Sequence, residues 1–173
     1  AALVQESGMV PIIEPEVLMD GNHGVEECFN KTSEVIKKCF DELNKNKIDL
    51  SGTILKPNMI LPGSNSGTNI DTKKIAELTL KCLKMSVPSE VPGVAFLSGG
   101  QSEFEAAKNL NSVNLINDSS FTITFSYGRV LQQSALKFWS KDINNIEGTQ
   151  EIFNHRAKMC SLASIGKWSE QIE

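Results

Sequence analysis

Several features that mark particular classes of protein are missing from this sequence. No apolar run approaches the roughly 18 residues needed to span a bilayer. The first residues show no basic segment followed by an apolar one, so the sequence predicts no secretory signal. Seventeen basic against 21 acidic side chains give a net charge of −4. Because no dense Lys/Arg stripe is present, the sequence argues against nucleic-acid binding.

Cysteine is sparse and dispersed. The four cysteines form no C-x-x-C motif and have no histidine at ligand spacing, which argues against a disulfide framework and a zinc site. Cys28, Cys39 and Cys82 fall on the apolar faces of predicted helices, so we expect buried thiols in a reducing, cytoplasmic compartment. The phosphate-binding patterns G-x-G-x-x-G and G-x-x-x-x-G-K-[ST] are also absent, which argues against dinucleotide-binding and P-loop folds.

The overall composition is that of an ordinary globular protein, and the order of its apolar and helical segments predicts an α/β fold. The 173 residues are 40% apolar and 22% charged, enough for a hydrophobic core. Short apolar runs occur at 10–13, 53–55, 94–97 and 121–125. The first three are followed by helical patterns at 25–43, 72–85 and 102–110. The fourth is followed by two helical patterns, one that ends at 136 and one at 146–165. This order predicts a parallel sheet covered by helices. Four βα units match half of a (β/α)8 TIM barrel, which typically needs about 250 residues.

Two of the helix predictions can be checked at individual residues. Asp71 or Thr72 can cap the second helix. The inner face of that helix is expected to be Ile75, Leu78, Cys82 and Met85. Ser102 and Glu105 form an S-x-x-E capping box that would open the third helix.

The sequence begins without methionine and inside a helical pattern. We therefore expect residues 1–173 to be half of a single barrel domain, with the other half upstream or on a separate fragment. An isolated half barrel would expose two sheet edges and an apolar interior, so we expect these residues to be inactive alone.

Polar residues follow all four predicted strands. In TIM barrels the chemistry lies at the carboxyl ends of the strands. In chain order these ends carry Glu14 and Glu16, Lys56, Ser98-Gly99-Gly100, and Gly128-Arg129. Their convergence on one face, rather than any single residue, indicates a site.

Lys56 lies directly after Ile54-Leu55 and before Pro57, at the mouth of an apolar wall. Desolvation there would favour the uncharged amine, a nucleophile toward a carbonyl group. A lysine whose head group reaches solvent from a strand end is the alternative. Glu14 and Glu16, two residues apart, would point to the same side of a regular strand. They could divide proton transfer and charge balance between them, or form a stabilising ion-paired group at the barrel mouth.

Glycines follow the last two strands. Ser98, Gly99 and Gly100 lead into the capping box, where backbone amides and a helix N-terminus can face an anion. Gly128 and Arg129 add further amides and a guanidinium. Tight-turn glycines are the alternative, but the two motifs in adjacent units favour a phosphate site.

Four strings together closely resemble class I fructose-bisphosphate aldolase, in that family's order. They are I-E-P-E-V-L from Ile13, L-K-P-N-M from Leu55, F-L-S-G-G-Q-S from Phe96 and F-S-Y-G-R from Phe125. The likeness runs from about Gly8 to Gly166 and corresponds to strands 5–8, the C-terminal half of the family's barrel. The family's first four strands and its terminal tyrosine have no counterpart here.

The resemblance implies a Schiff-base aldol reaction without metal or cofactor. Lys56 matches the lysine that forms an imine with the ketose carbonyl, Glu14 the acid/base glutamate, and Glu16 its neighbour that orients and charge-balances the lysine. The family's site for the ketose C1 phosphate is matched by Ser98, Gly99, Gly128 and Arg129.

The leading expectation is therefore a cytoplasmic lyase of glycolysis and gluconeogenesis. It would reversibly cleave fructose 1,6-bisphosphate to dihydroxyacetone phosphate and glyceraldehyde 3-phosphate, and the family suggests a homotetramer. One alternative is another Schiff-base barrel such as transaldolase or deoxyribose-phosphate aldolase, against which the E-P-E, L-K-P and S-G-G-Q set argues. The other is a non-catalytic adaptor for actin-linked partners, since a cationic phosphate site can also hold acidic peptides.

Overall fold

A computed structural model describes all residues from Ala1 to Glu173. The helices are α1 (Ala2–Glu6), α2 (Val25–Lys45), α3 (Thr72–Ser86), α4 (Glu103–Ile116), α5 (Arg129–Trp139) and α6 (Ile146–Ala163). The strands are β1 (Ile12–Ile13), β2 (Ile54–Leu55), β3 (Gly93–Phe96) and β4 (Thr122–Phe125). They form one sheet in the order β1-β2-β3-β4, and every neighbouring pair is parallel. The predicted α/β fold is confirmed, with four βα units as in half of a TIM barrel.

Three of the four strands are shorter than the apolar runs that predicted them, and β3 has the predicted length but begins one residue earlier. β1 begins at Ile12 rather than at Val10, because Pro11 has no amide hydrogen to donate to the ladder. Pro11 still contributes its carbonyl oxygen, which accepts from the Ile54 amide at 3.1 Å. The register pairs Ile12 with Ile54, Ile54 with Gly93, and Gly93 with Thr122 across the sheet.

Of the two predicted helix caps, one is confirmed with its hydrogen bonds and the other only in its position. The Ser102 hydroxyl accepts from the Glu105 amide at 3.2 Å, and the Glu105 carboxylate accepts from the Ser102 amide at 2.8 Å. The predicted capping box therefore fixes the first residue of α4. Asp71 precedes α3, but its side chain makes no capping hydrogen bond.

The core lies where α2, α3 and α4 cover one face of the sheet. Its most buried large side chains include Phe96, Ile36, Leu55, Met59, Ile60, Leu83 and Leu110. Cys28, Cys82 and Cys160 are buried, and Cys39 is half-buried. The inward position predicted for Met85 is wrong: it is 52% exposed, and Ser86, four residues after Cys82, turns inward instead.

The sheet is open at both edges, since β1 and β4 each pair with a single neighbour. Beside β1, the side chains of Met9, Val10 and Ile12 are more than half exposed.

None of the helices is both long enough and apolar enough to cross a membrane.

Candidate active site

Backbone hydrogen bonds extend the sheet beyond its strands and align the four strand ends. Each donor amide belongs to a residue just past one strand, and each acceptor carbonyl lies at or just past the end of the preceding one. These bonds are Lys56 N to Ile13 O at 2.7 Å, Leu97 N to Pro57 O at 3.1 Å and Ser126 N to Phe96 O at 2.9 Å. The residues predicted to follow the strands therefore all lie at the carboxyl-terminal end of the sheet.

The Lys56 ammonium and the Glu14 carboxylate form an ion pair across the ends of β1 and β2. Lys56 Nζ lies 2.9 Å from Glu14 Oε1, and the two side chains are 20% and 47% exposed. Leu55 and Pro57 on either side of the lysine are buried. Glu14 is therefore the group that can accept the lysine proton directly.

The Glu16 carboxylate lies beside the loop that follows β3. Its Oε1 would lie 3.0 Å from a Cβ atom placed on Gly99, so the carboxylate approaches the Gly99 backbone closely. Lys56 forms no ion pair with Glu16. The two glutamates thus reach different neighbours, although they leave the same segment.

The loop after β3 is shaped by two glycines. Gly100 has φ +77°, and a Cβ there would lie 2.6 Å from Cβ and Cγ of Met19. Only glycine avoids both the left-handed strain and this contact. Ser98 and Gly99 are half-buried just before this turn. The loop can therefore present backbone groups beside the N-terminus of α4.

Gly128 and Arg129 open α5 at the neighbouring strand end. No side chain caps this helix, and of its first three amides only that of Leu131 has a protein acceptor, the Gly128 carbonyl at 3.2 Å. Arg129 is exposed and pairs with no acid. The buried Tyr127 beside them donates its hydroxyl to the Ala106 carbonyl at 3.3 Å, and burial raises the pKa of that phenol well above its usual range. Free amides and an unpaired guanidinium suit an anion.

Two residues that shape this edge were not predicted. Glu103, the first residue of α4, accepts hydrogen bonds from both the amide (2.8 Å) and the hydroxyl of Ser134 on α5. Asn58 links the segments that follow β1 and β2. In the sequence, Asn58 is a polar residue before the apolar run Met59-Ile60-Leu61, which is a weak signal for a buried hydrogen-bonding role. No pattern in the sequence predicted the contact between Glu103 and Ser134.

No group of three or more His, Cys, Asp and Glu side chains lies close enough to hold a metal ion.

Comparison with known proteins identifies relatives along the whole chain. Residues 1–173 match the family described as class-I fructose-bisphosphate aldolase. A cytosolic fructose-bisphosphate aldolase of Arabidopsis thaliana is 47% identical over 167 residues, covering 96% of this chain and 42% of its own. The fructose-bisphosphate aldolase of Dictyostelium discoideum is 43% identical, covering 98% of this chain and 47% of its own.

A solved structure agrees with the sequence comparison. It is fructose-bisphosphate aldolase from Plasmodium falciparum in complex with TRAP and a small-molecule inhibitor. It superimposes with a TM-score of 0.94 at 42% identity, covering 98% of this chain and 49% of that one. The chain spans about half the length of these relatives. Because the family match covers every residue and the fold agrees, the chain belongs to the class I fructose-bisphosphate aldolase family.

Proposed function

We propose that Lys56 and Glu14 form the Schiff-base centre of an aldolase that reversibly cleaves fructose 1,6-bisphosphate in glycolysis and gluconeogenesis. The observation that carries this proposal is the 2.9 Å contact between the lysine Nζ and the glutamate Oε1 at the carboxyl ends of adjacent strands. An amine with a carboxylate in reach can lose its proton, attack a carbonyl carbon and form a carbinolamine.

Glu14 then has two tasks in the proposed reaction. It returns a proton to the carbinolamine hydroxyl, which leaves as water and gives the iminium of Lys56. The iminium withdraws electrons, so that the C3–C4 bond breaks while the Glu14 carboxylate takes the C4 hydroxyl proton, which releases glyceraldehyde 3-phosphate and leaves an enamine. Protonation at C3 and hydrolysis of the imine release dihydroxyacetone phosphate and restore the amine.

The phosphate group of the ketose C1 is proposed to bind between the last two strand ends. Ser98 and Gly99 would offer a hydroxyl and a backbone amide, and Gly128 and Arg129 an amide and a guanidinium. The uncapped start of α5 and the unpaired Arg129 support this assignment. Glu16, whose carboxylate lies close to Gly99, is proposed to help orient and charge-balance the lysine.

We further propose that residues 1–173 are the C-terminal half of one barrel domain, in a homotetramer located in the cytoplasm. The half-length match and the open sheet edges support the first part, and the cytosolic relative supports the location.

A coupled cleavage assay on the full-length gene product tests the proposed reaction. Lys56→Met should abolish cleavage of fructose 1,6-bisphosphate. Lys37→Met, which removes an exposed lysine on α2, should retain wild-type activity. Equal activity of the two variants would refute the proposal.

A binding role is the second candidate, supported by the Plasmodium falciparum relative that was solved in complex with TRAP. If the wild type cleaves no sugar phosphate but binds an acidic peptide, and Arg129→Ala abolishes that binding, the adaptor role for actin-linked partners replaces the lyase.

A further inference from the structure

The segment that carries both glutamates lies outside the sheet ladder. The ladder of β1 ends with the bond from the Lys56 amide to Ile13 O. From residue 14 to residue 18 the chain makes one hydrogen bond and one ion pair with other parts of the protein. The ion pair is Glu14–Lys56. The hydrogen bond runs from the Val17 amide to Oδ1 of Asn58 at 3.0 Å.

Asn58 is 2% exposed, and its carboxamide has partners on both sides. Nδ2 donates to the Thr32 hydroxyl at 3.0 Å and to the Met59 carbonyl at 3.1 Å. The Val17 amide can only donate and the Met59 carbonyl can only accept, so the carboxamide has a single allowed orientation. A buried carboxamide that is satisfied on both sides is a rigid connection.

We infer that Asn58 is a positioning residue, which sets the distance between the glutamate segment and Lys56; this inference rests on the proposed function. Asn58 follows the lysine by two residues, and the Val17 amide shares its peptide plane with the Glu16 carbonyl group. The hydrogen bond therefore replaces the missing ladder between the segments after β1 and β2. Without it, the segment would depend on an ion pair whose carboxylate is half-exposed, which is weak on its own.

Hydrogen exchange on the wild-type, full-length protein gives a first test that needs no variant. The Val17 amide should be strongly protected. A Val17 amide that exchanges at the rate of an unprotected amide would overturn the inference.

Two variants in the same buried cluster give the second test. Asn58→Leu removes the connection to Val17, whereas Thr32→Val removes one Nδ2 partner and leaves that connection in place. Both should lower the thermal midpoint. Asn58→Leu should also slow borohydride trapping of the sugar-phosphate imine about tenfold or more, with a smaller change in KM, because a misplaced acid/base group costs rate rather than binding.

Equal trapping rates for Asn58→Leu and Thr32→Val would overturn the inference while leaving the proposed function intact. If Asn58→Leu does not fold, the milder Asn58→Ala takes its place, and the exchange of the wild-type Val17 amide decides independently. A wild type that is never trapped would instead overturn the proposed function, and with it any role of Asn58 in the reaction, even if the Val17 amide is protected.

Discussion

Glu103 on α4 accepts two hydrogen bonds from Ser134 on α5, one from the backbone amide and one from the hydroxyl. This pair joins the two helices whose N-termini border the proposed phosphate site. The buried Arg156 guanidinium also donates to the Glu103 carbonyl, at 3.4 Å. The first turn of α4 is therefore fixed against both α5 and α6.

Glu103→Ala should loosen this junction. We expect the unfolding free energy to fall by about 1–3 kcal/mol and KM for the phosphorylated ketose to rise more than kcat falls. Urea denaturation and steady-state kinetics of the full-length protein measure these effects. Glu151→Ala, which removes an exposed carboxylate on α6, is the control. A Glu103→Ala protein that is less stable but has an unchanged KM would restrict Glu103 to a structural role.

Glu14→Gln should test proton transfer without disturbing the fold. The amide keeps the size of the carboxylate but cannot take the lysine proton, so we expect kcat to fall about 100-fold or more. Since Glu14 is 47% exposed, stability should hardly change. The control is Glu26→Gln, at an exposed position in the first turn of α2. Activity within twofold of wild type would remove Glu14 from the reaction.

Gly100→Ala should lower the unfolding free energy through backbone strain and through a steric contact, and comparison with Gly67→Ala separates the two effects. The new methyl group would meet Met19 at 2.6 Å in a left-handed backbone. We expect a loss of about 1–2 kcal/mol from the conformation and about 1–3 kcal/mol more from the contact. Gly67→Ala has the same handedness at φ +66° but open space around it, so it should show the strain alone. Equal destabilisation of the two variants would contradict the close packing of Gly100 on Met19.

The buried thiols predict a loss of stability at alkaline pH. Burial raises the pKa of Cys160 to about 11, and burial likewise raises the pKa of Cys28 and of Cys82. The folded state keeps these protons longer than the unfolded state does. The contribution of these thiols to the unfolding free energy is therefore complete below the ordinary thiol pKa of about 9, and it declines as the pH rises toward 11. Denaturation curves between pH 8 and 11 should show this decline, and Cys160→Ala should flatten it; an identical slope in the variant would contradict it.

Most of the fold could be predicted because the capping residues and the order of apolar and helical segments indicate the same elements. The alternation of apolar runs with helical periodicity gave the order of elements, and Ser102 and Glu105 gave the start of α4. Met85 was misplaced because one helical stripe can be continued at either the third or the fourth residue, and packing at the end of α3 decides between them.

The site was only partly predictable for a similar reason. Lys56 and Glu14 could be paired from the sequence because parallel strands end at a common edge. The approach of Glu16 to Gly99 depends on how the segment after β1 crosses that edge. Contacts such as Asn58 with Val17 join residues 41 positions apart without any periodic pattern, so only the folded chain reveals them.

The most direct test of the account is the position of the covalent label after borohydride reduction in the presence of dihydroxyacetone phosphate. Peptide mass mapping of the full-length protein should find the reduced adduct on Lys56, with none in Lys56→Met. An adduct on another lysine, or no adduct in an active enzyme, would contradict it.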